Sequence, residues 1–270
     1  MNLAMQIGLG FLLGVAIAAA AWKAGALSGS GAAAAALSGG LIFGLGGLDW
    51  AALLLTFFIS SSLLSRAFGR RKAALNEKFS KGHQRDWGQV FANGGLGAGL
   101  VILAAIDQEH GPWWAAFIGS MAAVNAETWA TELGVLSPTP PRLVTTGAPV
   151  ERGTSGGVSL LGGFASLAGA GLIGLAAALV RPEDGIGLAL AAAIGGGMLG
   201  SLVDSLLGAT LQAIYFCPTC QKETERYPQH ICGTPTTQVR GLNWLNNDWV
   251  NFVCALAGAG GATLIWWIIR

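Results

Sequence analysis

The chain has 270 residues, of which 53% are hydrophobic and only 11% charged, and its mean hydropathy is +0.56. Soluble domains carry roughly 25% charged residues, so this composition excludes a soluble globular protein and indicates an integral membrane protein. The apolar stretches are long and continuous, which excludes the short alternating segments of a membrane barrel and predicts an all-α, polytopic bundle of transmembrane helices.

About seven to eight spans are predicted, because the second of them is short and rich in Gly and Ala. In chain order they are 3–22, 31–47, 49–67, 91–107, 113–135, 157–180, 187–215 and 249–269. The first is expected to stay as a span, since no small-residue cleavage site follows it. All of 1–270 is then one transmembrane domain. The polar segments 68–90, 136–156 and 216–248 alternate with short loops and therefore fall on one side.

Segment 68–90 and the residues just before it concentrate positive charge. Seven of the 15 basic residues of the chain lie here: Arg66, Arg70, Arg71, Lys72, Lys78, Lys81 and Arg85. The positive-inside rule places this loop, and with it the other two, in the cytoplasm. The high density of basic residues in this segment also predicts a basic clamp that binds phosphates. Asn93-Gly94-Gly95, at the start of the next span, would add backbone N–H groups to it. The alternative is a topology signal that attracts anionic lipid, worth about 1 kcal/mol per basic residue.

Segment 125–134 carries two carboxylates near the cytoplasmic end of a span. Asn125, Trp129 and Glu132 share a helical stripe, while Glu127 lies to one flank. Buried carboxylates are costly unless paired or bound to a cation. Oxygen ligands suit Mg²⁺, so these residues predict a magnesium site; the alternative is ion pairs with the loop arginines.

Gly153, Thr154, Ser155, Gly156 and Gly157 open span six with amides and hydroxyls. At the positive end of a helix dipole, this run predicts an anion site. It is not a Walker A loop, because no Gly-Lys-Ser/Thr follows. The alternative is a simple helix cap.

Asp204 lies inside an apolar run, on one helical stripe with Ser201, Ser205, Gly208 and Gln212. A carboxylate at bilayer depth costs about 2.5 to 3.5 kcal/mol on insertion scales. Such a residue usually faces a bundle interior and has a function there. The alternative is a polar contact between helices.

Two further constellations follow Asp204. Asp248 and Asn251 are three residues apart at the start of the last span, where they predict metal or substrate ligands or, alternatively, a helix cap. Cys217, Cys220, His230 and Cys232 resemble a tetrahedral structural zinc site, with the right number of ligands but a second pair spaced more tightly than usual; the alternative is a set of reduced thiols that binds nothing.

Several motifs of the chain occur in a fixed order. They are Arg85-Asp86…Gln89-Val90…Ala92-Asn93-Gly94-Gly95, Glu127–Gly134, Gly153–Ser159, Gly200-Ser201…Asp204–Ala209 and Asn247-Asp248…Val250-Asn251. On these motifs the chain resembles the uncharacterised integral-membrane family ninety-two, which includes plant phytyl-phosphate kinase. In the motif Glu127–Gly134, which contains Trp129, the first acid is usually Asp in that family. Here it is Glu127, whose longer side chain shifts the position of the carboxylate.

The resemblance implies phosphoryl transfer from a nucleotide, CTP or else ATP, to a membrane isoprenyl monophosphate, giving the diphosphate. We therefore expect a Mg²⁺-dependent lipid phosphate kinase whose metal ligands are Glu127, Glu132, Asp204, Asp248 and Asn251. Asn93 and Asn125 would orient substrate or ligands beside Asp204 and Glu132, while the basic segment and the residues 153–157 would hold nucleotide phosphates. No nucleic-acid partner is expected, and the oligomeric state is open.

Three other functions are compatible with these features of the sequence. A lipid-alcohol kinase or cytidylyltransferase would need a general base, for which Asp204 is the candidate. A transporter or flippase for an anionic lipid or an ion would explain intramembrane carboxylates. A scaffold would bind a partner through its cysteine-rich loop.

Overall fold

The computed structural model describes residues 2–72, 78, 84–107 and 110–270. Within them seven helices form the bundle: α1 (Leu3–Lys23), α2 (Gly29–Lys72), α3 (Trp87–Asp107), α4 (His110–Gly134), α5 (Leu160–Val180), α6 (Ile186–Thr210) and α7 (Asn247–Ile269). Six of these, all but α4, are long and apolar enough to cross a bilayer. The helix α4 packs against α2, α3, α5, α6 and α7, so its polar side chains are surrounded by protein. The predicted helical membrane fold is confirmed.

The helix α2 is 44 residues long but is broken at Gly47, whose φ of 77° and ψ of −161° are not helical. An unbroken helix of this length would measure about 66 Å, roughly twice the 30 Å hydrocarbon core. A Cβ atom at Gly39 would lie 4.0 Å from Cδ2 of Leu54, on the far side of the break. The halves 29–46 and 48–72 therefore fold back on each other and correspond to the predicted second and third spans.

Several helix boundaries differ from the prediction; α3, for example, begins at Trp87 rather than at 91. The helix α5 begins at Leu160 rather than 157, because Ser159 caps it by accepting a hydrogen bond from the N–H of Gly162. The helix α6 ends at Thr210 rather than 215, because the chain enters a strand at Ile214.

Among the described residues, five short strands lie in the polar segments or directly beside them. Strands β1 (Arg142–Leu143) and β2 (Gly157–Val158) form an antiparallel pair, and a three-stranded sheet has the order β4 (Lys222–Thr224), β3 (Ile214–Cys217), β5 (Thr237–Arg240). These strands fold segments 136–156 and 216–248 back over the bundle.

Side-chain contacts join the three long polar segments at one end of the bundle. Lys78 Nζ lies 2.7 Å from Glu151 Oε2, and Ser155 Oγ donates to Glu225 Oε1 at 3.0 Å. We call this end the loop end. At the opposite end Arg181 pairs with Asp49 at 2.8 Å. The prediction that all three segments share one side is confirmed.

Small residues let the central helices approach closely. A Cβ atom at Gly196 would lie 2.6 Å from the carbonyl oxygen of Gly258 and 3.1 Å from Cα of Gly119. These glycines belong to α6, α7 and α4, which therefore meet almost backbone to backbone. Toward the opposite end the core is aromatic, with the ring centroids of Trp50 and Phe117 4.6 Å apart.

Candidate functional site

A cavity of about 320 Å³ opens at the loop end between α4, α5 and α6. We call it the first cavity. Residues 152–159 form one wall and Asn247, at the start of α7, contributes to another. The polar stripe of α6 predicted from the sequence lines it: Ser201, Asp204, Ser205, Gly208 and Gln212.

Three carboxylates from different elements line this cavity: Glu127 of α4, Asp204 of α6 and Glu225, which follows β4. They are close enough for electrostatic interactions of Asp204 with the other two. Asp204 Oδ2 is buried and has no hydrogen-bond partner among the described residues. Like charges at this depth repel one another unless a cation or proton joins them. The cavity is therefore an acidic site suited to a cation.

Residues Gly153–Gly157, which we call the glycine loop, line the cavity beside the acids, since Ser155 donates to Glu225. Gly153 and Gly156 have left-handed φ values of 79° and 81°. A Cβ atom at Gly156 would lie 2.5 Å from the backbone nitrogen of Ala209, so the loop rests directly on α6. The loop precedes β2 rather than opening α5, which corrects the prediction, because Ser159 is the cap of that helix. Ser159 also lines the cavity, so the positive end of α5 does face it.

The first cavity extends from the loops into the depth of the membrane-spanning helices. Its lining runs along α6 from Gly208 to Met198, a rise of about 15 Å. Met198 and Leu202 are 36% and 48% exposed although they lie within an apolar span. Such residues contact lipid in a bilayer, so one side of the cavity is continuous with the membrane.

Of the predicted basic clamp, the described side chains Lys78 and Arg85 do not line the first cavity. Lys78 binds Glu151, and this ion pair lowers the pKa of the Glu151 carboxyl below its usual value, chiefly through the hydrogen bond. The backbones of Arg70, Arg71 and Lys72 end α2, and their side chains lie, like Lys81, outside the described residues. Arg152 is the basic residue that lines the first cavity within the described part of the chain.

The stripe predicted on α4 faces α2 and not the cavity. Ser60 donates to Asn125 Oδ1 at 3.0 Å and Ser65 donates to Glu132 Oε1 at 2.8 Å. Trp129 Nε1 also donates to Ser60, at 3.3 Å. Because Glu127 lies on the flank of this stripe, it points into the cavity while Asn125 and Glu132 pack between helices. These two predicted catalytic residues are thus separated from Asp204.

Arg85 and Asn93 belong to a second cavity of about 150 Å³, lined mainly by apolar side chains of α1, α2 and α3. Arg85 donates to Ser61 at 2.9 Å and stacks over the ring of Phe57 at 5.3 Å. Burial lowers the pKa of Arg85 from its ordinary value, and electrostatic attraction to Glu132 and Glu127 opposes that shift. Arg85 is therefore close enough to Glu132 and Glu127 for the electrostatic attraction that the ion-pair alternative predicts.

The start of α7 has a helix cap, as the alternative predicts, but the capping residue is Asn246 and not Asp248. Asn246 accepts from the N–H groups of Asp248 and Trp249, because its backbone is extended while theirs is helical. Asn247 lines the first cavity, but Asp248 and Asn251 do not. Asn251 is buried one turn further on, and its Oδ1 has no hydrogen-bond partner among the described residues.

Two residues of the first cavity are missed by the sequence reasoning. Glu225 Oε1 accepts from Gln212 Nε2 at 2.8 Å and from Ser155. Arg152 donates to the carbonyl oxygen of Ser137 at 2.8 Å, which fixes it at the cavity wall. Both lie in polar loops without helical periodicity, so no spacing signal connects them with Asp204.

The fold and the site define a polytopic helical membrane protein with an acidic cavity at one end. The chain belongs to the family described as integral membrane protein DUF92, whose model matches residues 12–259. It is 35% identical over 234 residues to Protein PGR of Arabidopsis thaliana, covering 78% of this chain and 79% of that protein.

An uncharacterised membrane protein of Methanocaldococcus jannaschii is 36% identical over 192 residues, or 70% of this chain and 76% of the relative. A further one from Synechocystis is 32% identical over 185 residues, or 62% and 68%. No solved structure matches the chain.

Proposed function

We propose that the chain is a membrane isoprenyl-monophosphate kinase. It would transfer the terminal phosphoryl group of a nucleotide, CTP in preference to ATP, to a phytyl or prenyl phosphate. An oxygen of the acceptor phosphate forms the new P–O bond, the bond to the nucleotide diphosphate breaks, and the lipid diphosphate results. The observation that carries the proposal is the buried, unpartnered Oδ2 of Asp204 in one cavity with Glu127, Glu225 and the glycine loop.

The acids supply the ligand set for Mg²⁺. Carboxylates of Glu127, Asp204 and Glu225 offer oxygen ligands only, which is the donor type that this ion takes. When bound, Mg²⁺ would neutralise charge on the transferred phosphoryl group. Asp204 is the strongest candidate because its Oδ2 has no competing hydrogen bond among the described residues.

The glycine loop supplies donors for phosphates beside the acids. It brings backbone N–H groups close to the cavity, and successive turns with left-handed residues form anion-binding concavities. Arg152 and the capped start of α5 line the same cavity and add positive charge. The cavity therefore offers donors for an anion next to oxygen ligands for a cation.

The membrane-facing part supports a lipid acceptor. A lipid monophosphate with its head at Asp204 could extend its chain past Leu202 and Met198 without leaving the bilayer. Because an acceptor phosphate already carries nucleophilic oxygens, the side chains need only position and neutralise it. An alcohol acceptor would need a base, and Asp204 is again the candidate.

The test is a transfer assay with purified protein in lipid nanodiscs. CTP or ATP labelled in the γ-phosphate is supplied with isoprenyl monophosphates of several lengths or with the matching alcohols. We expect a labelled lipid diphosphate, and for Asp204→Asn a loss of about 10²–10³-fold in kcat, the range known for loss of one group that stabilises transition-state charge.

Glu183→Gln is the matched control, since Glu183 is an exposed acid in the short 3-10 helix Pro182–Asp184 between α5 and α6. That variant should keep full activity. If the label appears instead in a lipid monophosphate formed from the alcohol, the result supports a lipid-alcohol kinase. Unchanged turnover in Asp204→Asn would remove Asp204 from the mechanism, and no transfer under any condition would contradict the kinase.

A further inference from the structure

Four metal-binding side chains converge in the segment after α6. The ligand atoms of Cys217, Cys220, His230 and Cys232 all lie within 4.8 Å of one another. Cys217 ends β3, Cys220 lies in the turn before β4, and the other two lie in the loop before β5. All three thiols are free of disulfides.

The distances fit a tetrahedral ion. A zinc ion with Zn–S of about 2.3 Å and Zn–N of about 2.0 Å would hold its sulfurs about 3.8 Å apart and sulfur and nitrogen about 3.5 Å apart. The Sγ atoms of Cys217 and Cys232 are 3.6 Å apart, and His230 Nδ1 lies 3.4 Å from Cys220 Sγ and 3.3 Å from Cys232 Sγ. A disulfide would need about 2.0 Å. The side chains are therefore spaced to surround an ion and not to bond to each other.

The backbone around the first pair supports thiolate ligands. The N–H of Cys220 points at Cys217 Sγ at 3.5 Å, and the left-handed Gln221, with φ of 54°, turns the chain back into β4. Amide donors to sulfur are the outer contacts that orient metal-bound cysteines.

Glu225 lies between the two ligand pairs in sequence. Its N–H donates to the carbonyl oxygen of Lys78 at 2.8 Å, and its side chain accepts from Ser155 and Gln212 in the first cavity. An ion bound by Cys220 and His230 would close the segment 221–229 into a short loop, which reduces the conformations open to Glu225.

We propose that Cys217, Cys220, His230 and Cys232 bind one Zn²⁺ and that this ion positions Glu225 at the wall of the first cavity. The site is closed by four protein ligands, which is the pattern of a structural zinc ion. The zinc site does not depend on the proposed kinase activity, because its evidence is the arrangement of its own ligands.

Metal analysis of the purified chain tests the site. Protein made in zinc-supplemented cells should contain about one zinc per chain by plasma mass spectrometry, as expected for a four-ligand site. Cys217→Ser and Cys232→Ser should each lose it, while Cys254→Ala, which removes the buried cysteine of α7, should keep it. Intact wild-type protein without stoichiometric zinc would overturn the proposal.

A second measurement does not require the variants to fold. Treatment of wild-type protein with a mercurial reagent should release the zinc to a colorimetric chelator, in the amount found by mass spectrometry. Wild-type protein substituted with Co²⁺ should show thiolate-to-cobalt absorption. Zinc that a mild wash removes, without involvement of thiols, would place the ion elsewhere and contradict the assignment.

Hydrogen exchange tests the positioning of Glu225. Loss of zinc from wild-type protein should speed exchange in segment 221–229 at least several-fold, because metal binding and local folding are coupled. Exchange in the helices α5 and α6 should stay unchanged and serves as the internal control. Equal exchange with and without zinc would reject the positioning role and leave the ion as a separate site.

Discussion

At the scale of single residues, the surroundings of a carboxylate decide its role. Glu127 and Glu132 are close in sequence, yet only Glu127 lines the first cavity with Asp204, while Glu132 accepts from Ser65 between α4 and α2. Glu225 reaches the same cavity from a loop. Two acids on one helix can therefore have different functions when they project from different faces.

Gly156 provides a residue-scale prediction. Its φ is 81°, and a Cβ atom there would lie 2.5 Å from the backbone of Ala209. Gly156→Ala should therefore strain the glycine loop and push it away from α6, which we expect to cost about 1–3 kcal/mol of local stability. The melting temperature should fall, as measured by thermal denaturation in detergent, and transfer activity should fall with it.

The matched control is Gly171→Ala on α5, where a new Cβ atom would meet nothing within 4 Å. Ala is favoured over Gly inside a helix by up to about 1 kcal/mol, so this variant should be as stable as the wild type or more so. A Gly156→Ala protein with wild-type melting temperature would show that the loop does not press on α6.

The sequence predicts the residues of α6 better than those of the loops. Asp204 and its stripe are recognisable because a helix places every third or fourth side chain on one face, and all five predicted stripe residues line the first cavity. Glu225 and Arg152 are not recognisable in this way, since their positions depend on strand pairing and on loop contacts far apart in sequence. Charge density in the basic segment likewise does not determine that Lys78, one of its described residues, binds Glu151.

At the scale of elements, the break in α2 determines how the first part of the bundle is built. Gly47 has φ of 77° and ψ of −161°, a combination that is essentially restricted to glycine. The break lets the half 29–46 pack on α1, as shown by Gly40 against Phe11, while the half 48–72 packs on α3 and α4. Without the break, α2 would be a single long helix, and either α1 or the pair α3 and α4 would lack this packing contact.

Gly47→Ala tests this break. Any L side chain is strained at this backbone conformation, so the variant should lose about 1–3 kcal/mol of stability. Thermal denaturation and the yield of membrane-inserted protein measure the effect. Gly99→Ala in α3, where a Cβ atom meets nothing within 4 Å, is the control and should not be destabilised. If both variants melt alike, the left-handed conformation at Gly47 is not required.

At the scale of the whole molecule, the number of membrane segments determines which ends face the same side. The broken α2 and the other six helices give eight segments, with the three long polar segments together at the loop end. The prediction of about seven to eight spans rests on hydropathy, which identified even the two segments that share α2. It could not identify the strands that extend over the loop end, because these form through contacts between distant residues.

Reporter fusions test the resulting topology. The positive-inside rule predicts that the loop end faces the cytoplasm and both chain termini face the other side. A fluorescent reporter that matures only in the cytoplasm should be bright within residues 144–148, an exposed turn, and dark at the carboxyl terminus. An alkaline phosphatase reporter should give the reverse pattern. Equal signals at the two positions would contradict the eight-segment arrangement.

The exposed apolar side chains of Met198 and Leu202 at the wall of the first cavity have a kinetic consequence. A ligand that enters past them arrives by two-dimensional diffusion and never crosses the aqueous phase. Its encounter rate would then follow its mole fraction among the surrounding lipids rather than its bulk concentration. Diluting an acceptor with inert phospholipid, at constant total acceptor, should therefore slow turnover in proportion to the surface dilution.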